Sequence, residues 1–277
     1  MQRTDGRALS ELRTILIHEK AFGYAPGAVL LEVGNTKVLC TVTLQQGVPP
    51  FLRGKGSGWL SAEYGMLPTA TQDRTARQAS ALKYNGRAVE ISRLIGRALR
   101  SIVNLKLLPD YTILVDCDVL QADGGTRTAS ISGASIALMR AQEAWIASKL
   151  LKKPFLTDLV AAVSVGVVNG VCVVDPSYQE DSSGQADFNF VMARSGGIVE
   201  VQGGAEKAPV DWNLFTQAQL MARDGAAQWF LLFEKEQQKM GMATEKKEST
   251  LAAEKKESTV ATERVPLFSL HNRLHLS

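Results

Sequence analysis

The sequence predicts an α+β domain, a largely antiparallel or mixed sheet with helices packed on it. Three observations carry that prediction. Two-residue turn signals at Gly34-Asn35, Asn169-Gly170 and Ser195-Gly196 each separate two β-prone runs, as hairpins require. Long segments beginning near Glu90, Ala129 and Trp212 have helical character. The resulting order is strands, helix, strand, helix, strands, helix, without the strict alternation of a parallel βαβ fold.

The elements follow in chain order. A first strand is read over Leu12 to His18. Ala28 to Val33 and Thr36 to Leu44 flank Gly34-Asn35, both of which tolerate positive φ. Residues 45–56 hold too much Gly and Pro for regular structure, and carry Arg53 and Lys55. Trp59 to Leu67 reads as a strand ended by Pro68. Thr69 to Gly86 is polar and basic with little periodicity, a mobile loop leading into a helix. From Glu90 the apolar residues Ile91, Leu94, Ile95, Ala98, Leu99, Ile102 and Val103 follow helical spacing. Glu90, Arg93, Arg97 and Arg100 lie on the opposite face.

Tyr111 to Gln121 is a strand rich in β-branched residues, and about Ala129 to Leu151 is a long apolar helix. Leu159 to Val168 with Val171 to Asp175, and Asp187 to Ala193 with Gly197 to Gln202, form two further hairpins. A last helix runs from Trp212 to about Met240, with Asp211 placed to cap it. No linker interrupts residues 1–240, which are read as one domain. Residues 241–277 differ: a nine-residue, mostly charged unit over 243–251 is repeated over 252–260. Two copies cannot bury a core, so a disordered or partly helical appendage without catalytic role is expected.

Composition narrows the chemistry. With 277 residues, 45% of them hydrophobic, the chain can bury one large core or two small ones. No apolar run approaches the roughly 20 residues of a membrane helix, and the first residues lack a secretory apolar stretch. A soluble, cytoplasmic protein is expected. Cys40, Cys117 and Cys172 all sit in apolar, strand-like stretches without CxxC spacing, which points to buried reduced thiols. The only histidines are His18, His271 and His275, the last two in the tail, and His18 follows an apolar run as a structural histidine would. Histidine-pair acid–base chemistry is therefore excluded, and so is a His-rich metal site. Carboxylates, arginines and backbone groups must do the work.

Charge is uneven. Between Arg53 and Lys106 stand ten basic and three acidic residues, a local excess of +7 against +3 for the whole chain. A polyanionic partner suits such a block, as does a solvated surface with intersubunit ion pairs.

Two constellations stand out. In Asp116 to Ser130 a strand ends, Gly124-Gly125 turns, and a helix opens with Thr126, Arg127 and Thr128. Small glycines, helix N-terminal amides and an arginine fork are what an anion site needs, although an ordinary capped helix would look alike. Asp175, Glu180, Asp181 and Asp187 gather in a loop, where converging carboxylates would suit Mg²⁺ and scattered ones would simply be solvated. Asp187 opens an otherwise apolar strand. Arg87, at the foot of the amphipathic helix, would reach an anion or pair with an acid.

Taken together, these segments resemble ribonuclease PH. The resemblance spans nearly all of residues 2–235. It runs through Arg3-Thr-Asp-Gly-Arg7, Gly34 to Cys40, Gly47 to Leu52, Ala62 to Pro68, Arg93 to Arg97, Asp116 to Thr128 and Val199 to Gln202. It implies a ribonuclease PH-type α+β domain, commonly a homo-oligomeric ring of six. The implied activity is phosphorolytic 3′→5′ exoribonuclease chemistry on transfer RNA precursors, with inorganic phosphate as co-substrate and Mg²⁺ as cofactor. By position it implies that Gly125, Thr126 and Arg127 hold the attacking phosphate with Arg87, and that Asp181 and Asp187 position Mg²⁺. It places RNA contacts at the basic segments with Arg53, Lys55, Arg74 and Arg77. Inactive ring subunits of the same kind typically lack part of this set. Departures are Thr69, where the family usually has arginine, Gly204 where it often has threonine, and the repeat tail.

Overall fold

The computed structural model describes residues 3–19, 23–77 and 86–262. The chain divides into two compact units, Met1–Leu232 and Phe233–Ser277. Residues 78–85, part of the basic segment read as a loop, lie outside the described residues.

The first unit holds two sheets. In one, β1 (Ile15–Glu19), β2 (Gly27–Val33), β3 (Thr36–Gln46), β5 (Tyr111–Gln121) and β4 (Trp59–Met66) lie in the order β1-β2-β3-β5-β4. All neighbours are antiparallel except β4, which runs parallel to β5. A parallel neighbour needs a crossover, and α1 (Gly86–Arg100) lies in that connection. Alternation does the rest. Leu31 faces Val38, Cys40 faces Cys117, Val42 faces Val115 and Leu60 faces Ile113 across the ladders, and all are buried on one face.

The second sheet is antiparallel throughout, in the order β7 (Val171–Val174), β6 (Val160–Val168), β8 (Ala186–Ala193) and β9 (Ile198–Ala205). Where the sequence suggested only a loop after β7, a short helix α3 (Tyr178–Ser183) forms. Its start is favoured by Glu180, whose Oε2 accepts the Ser177 N–H at 2.9 Å.

Helix α2 (Thr126–Ala147) packs against β2, β3 and β5 and also against β6. Over residues 128–139 its sequence is small or apolar on every side and buried throughout, the mark of a helix segment enclosed all round. Contact with β2 is so close that a Cβ on Gly27 would lie 2.1 Å from the Ala137 carbonyl oxygen. On the β6 side its serines complete the sheet. Strand β7 pairs only with Val165–Val168. Beyond its reach, Ser135 Oγ accepts the Val160 N–H at 3.2 Å and Ser132 Oγ accepts the Ala162 N–H at 3.0 Å. Buried amides that lack a strand partner thus find hydroxyls instead.

The three cysteines are buried and free, as expected. His18 lies on β1 with Nε2 3.0 Å from Glu32 Oε1, a surface pairing between strands. Asp211 does cap α4 (Trp212–Thr262), its Oδ1 accepting the Asn213 N–H at 2.6 Å. That helix does not stop near Met240 but continues through the repeat, whose Ala, Glu and Lys are strong helix formers.

Ser132→Ala leaves the buried Ala162 N–H without a partner, so it is expected to cost about 1–3 kcal/mol of stability. The measurement is a urea midpoint; an unshifted midpoint would show that the hydroxyl is dispensable.

Candidate functional site

The turn joining β5 to α2 is the centre of the site. Gly124 and Gly125 have φ of +77° and +63°, a region open to glycine at little cost. A Cβ on Gly124 would also lie 2.5 Å from the Pro176 carbonyl oxygen. The turn is gripped from below by Arg13, which is buried. Arg13 Nη1 donates to the Asp123 carbonyl and Nη2 to the Gly124 carbonyl. The same guanidinium holds both carboxylate oxygens of buried Asp175, Nε to Oδ2 at 2.9 Å and Nη2 to Oδ1 at 2.6 Å. Burial opposes the Arg13 charge, yet the bond and the Coulomb attraction of Asp175 outweigh it and hold the guanidinium above its ordinary value. Thr36 Oγ1 donates to the Gly124 carbonyl at 2.7 Å and accepts the Asp123 N–H at 3.0 Å. The Asp123 carboxylate accepts from Asn35 Nδ2 and from the Tyr178 N–H, both at 3.2 Å.

With the turn fixed, the N-terminal amides of α2 and the Arg127 side chain point from one rigid corner. The buried Thr126 hydroxyl lies 2.8 Å from the Tyr64 hydroxyl. Burial pushes the Tyr64 phenol above its ordinary value, so it stays protonated.

A cleft of about 830 Å³ opens over this corner. Its lining includes Arg87 from the start of α1, Gly125, Thr126 and Arg127 from the turn and α2, Asp181 from α3 and Asp187 from β8. The structure therefore brings together every residue to which the resemblance assigned phosphate or metal. Asn189 Nδ2 donates to Asp187 Oδ2 at 3.0 Å and fixes that carboxylate. Burial, then Asp187, then Glu206 push the Asp181 carboxyl above its ordinary value, while Arg127 and Arg87 pull it down. Two mutually repelling carboxylates facing a cleft suit a divalent cation. Among the described residues no group of three or more His, Cys, Asp or Glu side chains converges on one point. Such a set fits Mg²⁺, which keeps waters and shares substrate phosphate oxygens, better than a metal needing a full protein cage.

The acidic loop divides in two. Asp175 holds Arg13, and buried Glu180 binds buried Arg3 through both oxygens, at 2.9 and 2.8 Å. These are structural ion pairs, and only Asp181 and Asp187 reach the cleft. Arg53, Lys55, Arg74 and Arg77 are exposed and do not line it. Arg74 and Arg77 lie in the segment whose Thr69, Thr71, Gln72 and Asp73 form one wall. Thr69, the departure from the usual arginine, is thus itself at the cleft. Sequence reasoning missed Arg13, Thr36, Tyr64 and the structural role of Asp175. Their partners lie 62 to 162 residues away, and no local pattern signals such bonds.

Residues 11–143 match domain 1 of the 3′ exoribonuclease family, and residues 158–225 match domain 2. The chain belongs to the 3′ exoribonuclease family. It is of the ribonuclease PH type, and domain 1 and domain 2 correspond to the first and second sheets. Similar solved structures include a chain of an Archaeoglobus fulgidus exosome with RNA bound to the active site. That chain is 23% identical with a TM-score of 0.72, over 84% of this chain and 92% of that one. A chain of an archaeal exosome core is 23% identical with a TM-score of 0.69, over 85% and 91%. Rice Rrp46 is 17% identical with a TM-score of 0.69, over 84% and 98%. These likenesses establish the expected α+β fold. Among the described residues no helix is long and apolar enough to cross a membrane.

The raised Asp181 carboxyl has a definite pH consequence. The fold favours its protonated form, so its ionisation costs stability as pH rises from the ordinary value of 3.8 through the raised one. Without divalent cation, Asp181→Asn is expected to melt higher than the parent at neutral pH, with the gap closing towards the acid limb. Equal melting temperatures at both pH values would mean that neither burial nor the neighbouring acids raise the Asp181 carboxyl.

Proposed function

We propose that this protein is an active phosphorolytic 3′→5′ exoribonuclease that trims transfer RNA precursors in the cytoplasm and, in reverse, adds nucleotides to RNA 3′ ends. The observation carrying this reading is the convergence of Arg87, Gly125, Thr126, Arg127, Asp181 and Asp187 on one cleft. An inactive ring subunit would be expected to lack part of that set.

The reaction joins two anions, inorganic phosphate and the last phosphodiester. Arg127, the Gly125 and Thr126 backbone and Arg87 hold phosphate at the mouth of α2, where cation, dipole and amides all oppose its charge. A phosphate oxygen attacks the terminal phosphorus, a new P–O bond forms, and the bond to the leaving 3′ oxygen breaks. That oxygen takes a proton and remains as the 3′ hydroxyl of the shortened RNA, and a nucleoside diphosphate departs. Asp181 and Asp187 would hold Mg²⁺, which when bound supplies positive charge to the phosphoryl oxygens. Asn189 keeps Asp187 oriented. No histidine is required, in keeping with the composition.

The exposed Arg53, Lys55, Arg74 and Arg77 would grip the RNA backbone with little sequence preference, and Arg74 and Arg77 would also help close a ring of six copies. The similarity to exosome chains favours a second reading of the assembly, a ring shared with other subunits; the native mass of the purified chain separates the two. Residues 241–277 would serve as an appendage without catalytic role, so truncation after Met240 should leave trimming intact, and loss of trimming would refute that.

The decisive experiment incubates the protein with a transfer RNA bearing extra 3′ nucleotides, with and without phosphate. Nucleoside diphosphates should appear only with phosphate. Nucleoside monophosphates released at full rate without it would make the enzyme a hydrolase. Arg127→Ala should cost about 2–4 kcal/mol of transition-state stabilisation on long and short substrates alike. Asp187→Asn should abolish turnover while RNA binding persists.

A further inference from the structure

Gln202, on β9, takes no part in the reaction just described, yet its side chain meets the residue on which that reaction turns. Arg127 Nη1 donates to Gln202 Oε1 at 3.5 Å. At its other end Gln202 Nε2 donates to Glu200 Oε1 at 3.2 Å. Glu200 in turn is held by the fork of Arg97, Nε to Oε2 at 3.0 Å and Nη2 to Oε1 at 2.5 Å. The order along this chain is cation, amide, carboxylate, cation.

We propose that Gln202, backed by Glu200 and Arg97, is a positioning residue that aims the Arg127 guanidinium into the cleft while leaving its charge available to the attacking phosphate. The inference rests on the phosphorolytic reading of the site. Chemistry fixes the amide's orientation. Arg127 can only donate and Glu200 only accepts, so the carbonyl must face Arg127 and the NH₂ must face Glu200. A guanidinium has five N–H donors, of which the amide takes one. A carboxylate in the same place would instead bind Arg127 as a charge-assisted, bidentate partner and compete with phosphate. The Glu200 charge is kept one side chain further away and answered by Arg97. That ion pair also raises the Arg97 guanidinium above its ordinary value.

The sheet puts this relay where it is needed. Residues 200 and 202 are two apart on one strand and so share a face. Gln202 stands directly opposite Asn189 of β8, and Asn189 holds Asp187. Across one rung of the ladder, two neutral amides thus position the arginine and the carboxylate of the same site. Neither amide changes the charge of the group it holds.

The test measures trimming by the full-length protein as phosphate is varied, at saturating RNA, for the parent, Gln202→Glu and Gln202→Leu. Gln202→Glu should raise the phosphate KM on the order of tenfold or more at pH 8, with kcat changed far less. At that pH its KM should also exceed that of Gln202→Leu, because the new carboxylate, kept ionised by Arg127, competes with phosphate. Gln202→Leu should raise the KM by only a few fold. Should the glutamate variant not fold, the leucine variant carries the test alone. A parent that depends on phosphate, with variants whose phosphate KM matches it at pH 8, overturns the relay and spares the phosphorolytic reading. A parent indifferent to phosphate overturns both.

Discussion

The buried pair between Arg13 and Asp175 is the constraint on which the site depends. Arg13 enters from the segment before β1, and Asp175 follows β7 of the other sheet. Arg13, held by the Asp175 carboxylate, donates to the carbonyls of Asp123 and Gly124, so one guanidinium ties both sheets to the glycine turn. Asp175 itself has φ of +48°, in the left-handed region that aspartate tolerates at modest cost. That strain is offset by what it secures: breaking a buried pair from one side typically costs about 3–5 kcal/mol. Gly34 belongs to the same arrangement, because a Cβ there would lie 2.6 Å from Arg13 Cδ. Its glycine is thus required by a neighbouring side chain as well as by its own hairpin.

Around that anchor the cleft sets opposite charges against each other. Arg87 and Arg127 face Asp181 and Asp187 across a space that would admit a phosphate and the end of an RNA chain. The arginines lower the Asp181 carboxyl and the neighbouring acids raise it, and burial with the acids prevails. A site poised in this way favours ligands that bring both signs, anionic oxygens for the arginines and a cation for the acids. Buried ion pairs close at hand, Arg3 with Glu180 and Arg13 with Asp175, carry the structural load separately. At the cleft itself, Arg127 and Asp187 are held by the neutral amides of Gln202 and Asn189.

Much of this was legible in the sequence because it is local. The hairpin at Gly34-Asn35, the strand Tyr111–Gln121 and the turn into α2 each announce themselves within a few residues, through glycine, β-branching and alternation. Arg127, Thr126 and Gly125 were legible for the same reason, since a helix N-terminus beside two glycines is the local pattern that an anion site needs. The sequence places the end of α4 near Met240 and allows the charged repeat to be disordered or partly helical; the helix runs on to Thr262 because the repeat's Ala, Glu and Lys favour it. The short helix α3 was missed because a single capped turn has no periodicity to detect.

By itself, the sequence determined the α+β class, the buried reduced cysteines, the scarcity of histidine and, through its resemblance, the family. Tertiary structure alone decided which acid does what. Asp175, Glu180, Asp181 and Asp187 look alike along the chain, yet two neutralise buried arginines and two face the cleft. Only folding could separate them, because the partners that distinguish them, Arg3 and Arg13, lie more than 160 residues away. A carboxylate's role is set by the field around it, and that field is a property of the packed molecule, not of the neighbouring letters.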